Sequence, residues 1–241
     1  MNIVLLLNND IASNLALNLL LPKLTAHKVA VFLSSKVGGN SSRPAALQDL
    51  AKFEQHDVYQ DINNEQAQNN NLNKFKTYPE LAAQYDVSVE FLNNINSAEG
   101  LAKIKALAPD IMVSVRYGII LKNPLIALAK HGVINLHSGL LPDYRGVMAT
   151  FWALVNGEKN LASSLHFIDD SSIDTGRIIA HSAFEVQQNK SYLWHVLSLY
   201  VGGCELITQA IDSLNCGVGL ATYQQPCGGE YYTFPNDIEV T

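Results

Sequence analysis

The chain has 241 residues, of which 48% are hydrophobic and 16% are charged, and its formal net charge is −6. A chain of this size can bury one sizeable core, so we expect one main domain. The acidic balance disfavours a general nucleic-acid binder, because such proteins need clustered Lys and Arg; we expect small ligands as partners and no nucleic acid. The three cysteines form no CxxC pair, which favours a reducing, cytoplasmic compartment.

The first half of the chain alternates apolar, strand-like runs with helix-like segments. Short connections between such elements indicate βαβ units and hence a mainly parallel sheet. The first apolar run stops at the polar turn Asn8-Asn9-Asp10, before it reaches membrane-spanning length, so we expect no membrane partner. The elements predicted up to Val115 are the strands Asn2–Leu7, Lys28–Ser34, Val87–Phe91 and Asp110–Val115, the helices Ile11–Leu24, Pro44–Gln55, Tyr78–Tyr85 and Ala98–Leu107, and an exposed loop over 63–73.

The second half departs from this alternation. Two successive strands, Ser163–Ile168 and Arg177–Val186, are joined through a turn, so we expect a mixed sheet here, closed by a long helix over Lys190–Leu214. The predicted fold is α/β and Rossmann-like, a mostly parallel twisted sheet flanked by helices, with the main domain over 1–215. The aromatic-rich residues 216–241 predict a short C-terminal hairpin or extension that packs on the core, forms a dimer contact or stacks on a ligand.

The run from Val133 to Asp143, VINLHSGLLPD, carries the main indication of chemistry. Asn135 and His137 point to the same side of a predicted strand, because side chains on a strand alternate with period two. The strand gives way to a loop at that point, where open α/β sheets place reacting groups. An amide and an imidazole held beside a carbonyl oxygen can stabilise the negative charge that develops when a nucleophile attacks. A hydrogen-bonded structural pair is the alternative.

The tripeptide Asp174-Thr175-Gly176 adds a carboxylate. Asp174 can accept a proton, directly or through water, or hold the imidazole in its useful state. A turn-forming Asp that bonds its own backbone is the alternative.

Together these segments resemble the formyltransferase family that uses 10-formyltetrahydrofolate. The resemblance covers most of the chain, and it implies that Asn135, His137 and Asp174 are catalytic, that 10-formyltetrahydrofolate is the co-substrate and that no metal takes part. Ser138-Gly139 and the run YRGVMATFWA from Tyr144 are similar to the branch that formylates nucleotide-linked amino sugars. The acceptor implied is dTDP-4-amino-4,6-dideoxyglucose, used in O-antigen or lipopolysaccharide synthesis, and the implied assembly is a homodimer.

The resemblance also implies where the ligands bind. The loop after Val115 would hold the pterin ring of the folate, with a second loop opposite. The acceptor diphosphate is expected on the other side of Asn135, where amides at the start of the first helix favour anions. The folate residues implied are Arg116, Tyr117, Gly118, Ile119, Phe167, Asp169 and Asp170. The acceptor contacts expected are Asn8, Asn9, Lys76, Tyr78 and Arg145, with simple surface positions as the alternative for Lys76 and Tyr78.

Other functions stay open at this point. A hydrolase could direct water at the formyl group with the same side chains, glycinamide ribonucleotide could be the acceptor amine, and a noncatalytic nucleotide-sugar or folate sensor is a third possibility. A methionyl-tRNA acceptor is disfavoured, because that branch carries a further C-terminal domain for which the chain has too few residues and too little positive charge. His131 and His137 lack the spacing of a zinc site, and the first turn lacks the glycines of a dinucleotide fingerprint.

Overall fold

The computed structural model describes residues 1–35, 43–58 and 75–240; the predicted loop over 63–73 lies outside these ranges. The strands are β1 (Asn2–Asn8), β2 (Lys28–Ser34), β3 (Ser88–Phe91), β4 (Ile111–Val115), β5 (Val133–His137), β6 (Tyr144–Gly146), β7 (Asn160–Phe167), β8 (Ile178–Glu185) and β9 (Glu230–Tyr232). The helices are α1 (Ile11–Leu20), α2 (Ala45–Lys52), α3 (Tyr78–Tyr85), α4 (Ala98–Ala106), α5 (Asn123–Ile126), α6 (Ala149–Val155) and α7 (Tyr192–Asn215).

Seven strands form one sheet in the order β3-β2-β1-β4-β5-β7-β8. The first five of these pair in parallel, and β7 and β8 are antiparallel to their neighbours, which confirms the predicted Rossmann-like, mostly parallel sheet. The sequence of β1 is a nearly continuous apolar run because both faces of the strand are buried. Ile3, Leu5 and Leu7 pack with α1 and α7, whereas Val4 and Leu6 pack with α4 and α5 on the other side.

Two helices end differently from their predicted bounds. α1 stops at Leu20 and continues as a 3₁₀ turn over Leu21–Lys23, because Pro22 lacks the N–H that an α-helical bond requires. α2 continues beyond Lys52 as a wider π-helical turn over Phe53–Asp57, which buries Glu54. In the described ranges no helix combines the length and hydropathy needed to cross a bilayer.

The C-terminal segment is an extension that wraps over the core. The described part of the extension contributes one strand, β9, which pairs in parallel with β6 and not antiparallel with a second strand of the extension, so the hairpin alternative is wrong. Tyr232 stacks between Tyr144 and Trp152, with ring centroids 5.4 and 5.2 Å away. This packing holds the residues after Tyr232 along the edge of a large cleft at the carboxyl end of the parallel strands.

Candidate active site

Four polar side chains meet in the cleft, whose volume is about 1260 Å³. Asn135 and His137 lie on β5, as predicted, and the turn between β7 and β8 contributes Asp174. His166 on β7 is the fourth, and its antiparallel register places it directly opposite Asn135. The structure therefore brings the three predicted catalytic residues together and adds a histidine that the sequence reasoning missed.

The Asn135 amide is bonded to His166. The His166 Nδ1 atom lies 2.8 Å from the Phe167 carbonyl oxygen, which can only accept, so Nδ1 carries the hydrogen. His166 Nε2 is then free to accept from the Asn135 Nδ2 atom, 3.1 Å away. A primary amide has two N–H groups, so the second N–H of Asn135 remains available to a ligand in the cleft.

Both ring nitrogens of His137 already have neighbours. The Nε2 atom lies 2.6 Å from the carbonyl oxygen of Tyr144 and must be the donor there. The Nδ1 atom lies 3.5 Å from a carboxylate oxygen of Asp174. In this arrangement a direct hydrogen bond from His137 to a reacting oxygen requires the ring to turn.

Asp174 is held as an ionised carboxylate. One of its oxygens accepts a hydrogen bond from the Gly146 backbone N–H at 2.9 Å, and the other lies 3.5 Å from His166 Nε2. Burial acts to raise the pKa of Asp174, but His137, His166 and the Gly146 N–H outweigh it and lower the pKa to about 2. A carboxylate with this pKa is a weak proton acceptor near neutral pH, and it is better suited to stabilise the positive charge of an imidazole that has gained a proton beside it.

A buried ion network occupies the start of α1, where sequence reasoning places the acceptor's diphosphate. The Asp10 carboxylate caps the helix by accepting from the Ser13 N–H, and it also accepts from Asn8 Nδ2 and from Arg116 Nε, each at 2.8 Å. Burial acts to raise the pKa of Asp10, but Arg116 and these hydrogen bonds bring it below its usual value. The helix N-terminus is thus already occupied by a carboxylate of the protein, which would repel a phosphate.

Arg116 also pairs with Glu54, whose carboxylate lies 3.2 Å from its Nη2 atom. Burial raises the pKa of Glu54, and the Arg116 charge opposes this only in part. Arg116 is therefore fixed between two acids, with its backbone in the left-handed region at φ 60°.

Two further predicted acceptor contacts, Tyr78 and Arg145, are hydrogen-bonded within the protein. Tyr78 is only 7% exposed and donates to the Asn8 carbonyl oxygen, so the alternative of a simple surface position is wrong for it. Arg145 donates to the carbonyl oxygens of Gly228 and Gly229 in the C-terminal extension. Of the five predicted acceptor contacts, the described lining of the cleft includes Asn8 and leaves out Asn9, Lys76, Tyr78 and Arg145.

The predicted folate contacts divide into two groups. Residues Arg116, Tyr117, Gly118, Ile119 and Asp170 belong to the described lining of the cleft, and Phe167 and Asp169 do not. Asp169 pairs instead with Arg177, 2.7 Å away, and Arg177 lies over the ring of Phe167. The Tyr117 hydroxyl donates to the Leu92 carbonyl oxygen and the Gly118 N–H donates to Ser34 Oγ, so both groups are already bonded within the protein. Over the described ranges, no group of three His, Cys, Asp or Glu side chains could hold a metal ion.

Comparison with known proteins identifies the family. Residues 2–193 match the family described as formyl transferase. Methionyl-tRNA formyltransferase from Thermodesulfovibrio yellowstonii is 37% identical over 118 residues, which cover 49% of this chain and 38% of that protein. The match therefore spans less than half the length of this relative.

Solved structures share the fold at low identity. An N-formyltransferase from Helicobacter canadensis, in complex with folinic acid and dTDP-3-aminofucose, has a TM-score of 0.63 at 17% identity over 100% of this chain and 72% of that chain. Glycinamide ribonucleotide transformylase 1 from Symbiobacterium toebii has a TM-score of 0.61 at 16% identity over 93% of each chain. Since the family match covers most of the sequence, the chain belongs to the formyl transferase family.

Proposed function

We propose that this protein transfers the formyl group of 10-formyltetrahydrofolate to the amine of a nucleotide-linked amino sugar, such as dTDP-4-amino-4,6-dideoxyglucose. The observation that carries the proposal is the convergence of Asn135, His137, His166 and Asp174 at the cleft. This set offers a hydrogen-bond donor for a developing oxyanion and imidazoles whose positive charge an ionised carboxylate can stabilise, which are the groups that acyl transfer to an amine requires.

The reaction uses these groups in sequence. The acceptor nitrogen forms a bond to the formyl carbon, and the carbonyl electrons move onto oxygen, where the second N–H of Asn135 donates to the negative charge. The nitrogen gives up a proton, directly or through water, to the His137 imidazole, and Asp174 stabilises the resulting cation. Collapse of the adduct breaks the bond to N10 of the folate, and this leaving nitrogen takes up the proton.

The size of the cleft supports a reaction between two bound molecules. Sites for one small ligand have volumes of roughly 300–1,000 Å³, and this cleft exceeds that range at about 1260 Å³. Arg116 to Ile119 form one side of it, next to Asn135, and this is the side we assign to the folate. Asp10 and Glu54 make the start of α1 acidic, so we place the acceptor's phosphates away from this helix.

The choice of a sugar acceptor rests on two supports. Ser138-Gly139 and the segment from Tyr144 resemble the amino-sugar branch, and the Helicobacter canadensis neighbour was solved with dTDP-3-aminofucose. A second candidate is methionyl-tRNA, which the 37% identity to a methionyl-tRNA formyltransferase favours.

One assay separates these acceptors. The protein is incubated with 10-formyltetrahydrofolate and, in separate reactions, dTDP-, UDP- and GDP-linked amino sugars, glycinamide ribonucleotide or methionyl-tRNA, and mass spectrometry detects which acceptor gains CO. We expect a formylated amino sugar. Formylation of methionyl-tRNA alone would reject the sugar proposal, and formate release without any acceptor would identify a hydrolase. The Asn135→Ala variant is the control for catalysis at this site.

A further inference from the structure

The turn that carries Asp174 is held by a side chain from the C-terminal extension. The Gln225 amide nitrogen donates to the carbonyl oxygens of both Asp174 and Gly176, each at 2.8 Å. Gln225 lies beyond residues 2–193, the part that matches the family, and it is 49 positions from Gly176 in the sequence. One amide thus fixes both ends of the tripeptide that presents the carboxylate.

This turn needs an external support. Asp174 adopts the left-handed region at φ 55°, which is disfavoured for a residue with a side chain. Gly176 packs so closely on β7 that an added Cβ would lie 1.8 Å from the Phe167 carbonyl oxygen. The two hydrogen bonds from Gln225 satisfy the backbone carbonyls of Asp174 and Gly176.

Gln225 is itself held in place by the chain just before it. Tyr223 forms an antiparallel bridge with Ile178, in which each backbone N–H donates to the other's carbonyl oxygen at 2.9 and 3.0 Å. Ile178 is the first residue of β8, which directly follows the Asp174 turn. Backbone hydrogen bonds therefore fix the position of the extension relative to the turn.

A second connection runs from the same segment to the loop after β5. Ser164 Oγ donates to the Gly139 carbonyl oxygen, so His181 Nδ1 donates to Ser164, and His181 Nε2 accepts from the Tyr223 hydroxyl at 2.7 Å. Burial lowers the pKa of His181, which fits the neutral ring that this chain of bonds requires. The segment 223–225 therefore contacts the Asp174 turn directly and is linked to the loop after β5 through His181 and Ser164.

We propose that Gln225 is a positioning residue for Asp174, so that the segment 223–225 completes the active site. The expected effect on kcat rests on the proposed formyl transfer, whereas the expected effect on the stability of the Asp174 turn does not. The catalytic unit would then include part of the extension, in addition to the main domain that the sequence predicts over 1–215.

Three variants test this proposal: Gln225→Ala, Gln225→Glu and, as matched control, Gln224→Ala at the exposed neighbouring position. A misplacement of about 1 Å can cost on the order of 100-fold in rate, so we expect kcat of Gln225→Ala to fall at least ~10-fold, with KM for the folate nearly unchanged. Gln224→Ala should match the wild type. An unchanged kcat in Gln225→Ala would overturn the proposal.

Gln225→Glu supplies a readout that a merely structural role would not move. An ionised Glu repels the two carbonyl oxygens, whereas its protonated form offers an O–H donor to one of them. The activity of Gln225→Glu relative to wild type should therefore rise as the pH is lowered from 8 to 5.5, while the relative activity of Gln225→Ala stays flat. A flat ratio for Gln225→Glu would refute the positioning role, and this ratio decides the matter if Gln225→Ala does not fold.

Amide hydrogen exchange gives a test that does not depend on activity. Exchange in residues 169–177 should be faster in Gln225→Ala than in Gln224→Ala, with β1 and α7 unchanged. If wild-type protein transfers no formyl group to any acceptor, the proposed function fails, and the exchange measurement alone tests the positioning role of Gln225. Equal exchange in the two variants rejects that role, and faster exchange confined to this turn upholds it.

Discussion

The depressed pKa of Asp174 predicts a specific loss of stability in acid. Because the folded-state pKa is about 2 and the usual value is 3.8, the ionised carboxylate stabilises the fold above pH 3.8, and this contribution is lost as the pH falls through about 2. The difference corresponds to about 2.5 kcal/mol at ~1.4 kcal/mol for each pH unit, of which about 1 kcal/mol is already lost at pH 3. The side chain is only 10% exposed, so solvent screening reduces this figure little.

Urea unfolding of wild type and Asp174→Asn from pH 3 to pH 7 measures this contribution. Asn cannot ionise, so the free-energy difference between the two proteins should shrink by about 1 kcal/mol between pH 7 and pH 3. Asp143→Asn, at an exposed position, is the control for general acid effects on the fold. A wild-type-to-variant difference that stays constant over this range would show that His137, His166 and Gly146 do not stabilise the charge as the geometry indicates.

Three further predictions concern single side chains. Asn135→Ala removes the donor to the oxyanion and should lower kcat about 100- to 1000-fold, measured by steady-state formyl transfer; a fall below tenfold would contradict that role. His166→Ala frees the Asn135 amide to rotate and should lower kcat at least ~10-fold with folate binding retained, as titration with a formyl-folate analogue would show; weakened binding with normal kcat would argue against it. Arg116→Met leaves two buried carboxylates unpaired and should cost about 3–5 kcal/mol in urea unfolding, whereas Arg177→Met breaks an exposed pair and should cost at most about 1 kcal/mol; equal losses would contradict this account.

The local patterns of the sequence were enough to predict the parallel part of the fold. Both faces of β1 are buried, so its apolar run signals a central strand without reference to its neighbours. The pairing of Asn135 with His137 on one side of β5 follows from strand alternation in the same way. The bounds of α1 and α2 differ from prediction where Pro22 and a π-helical turn change the hydrogen bonding.

Contacts between distant segments could not be predicted in this way. His166 lies opposite Asn135 only because β7 is antiparallel to β5 in a particular register, and the pairing of β7 with β8 is itself irregular between Leu165 and His166. A histidine within a predicted strand was the available signal, but without the register it identifies no partner. The ion pair of Arg116 with Asp10 joins residues 106 positions apart, which local patterns cannot reveal. The polar turn was predicted to be an anion site, but it contains a carboxylate that caps α1 and pairs with Arg116.

The structure gives Asn135 and His137 different surroundings, although the sequence treats them as equivalent donors. Asn135 keeps one N–H for the cleft after bonding His166, whereas His137 faces a carbonyl oxygen through Nε2 and a carboxylate through Nδ1. A His137 ring that gains a proton on Nδ1 would donate to both of these neighbours, so its surroundings suit a group that receives the acceptor's proton. In the reaction we propose, oxyanion stabilisation then falls mainly to Asn135, and Asp174 serves the proton transfer by stabilising the charged ring rather than by taking the proton itself.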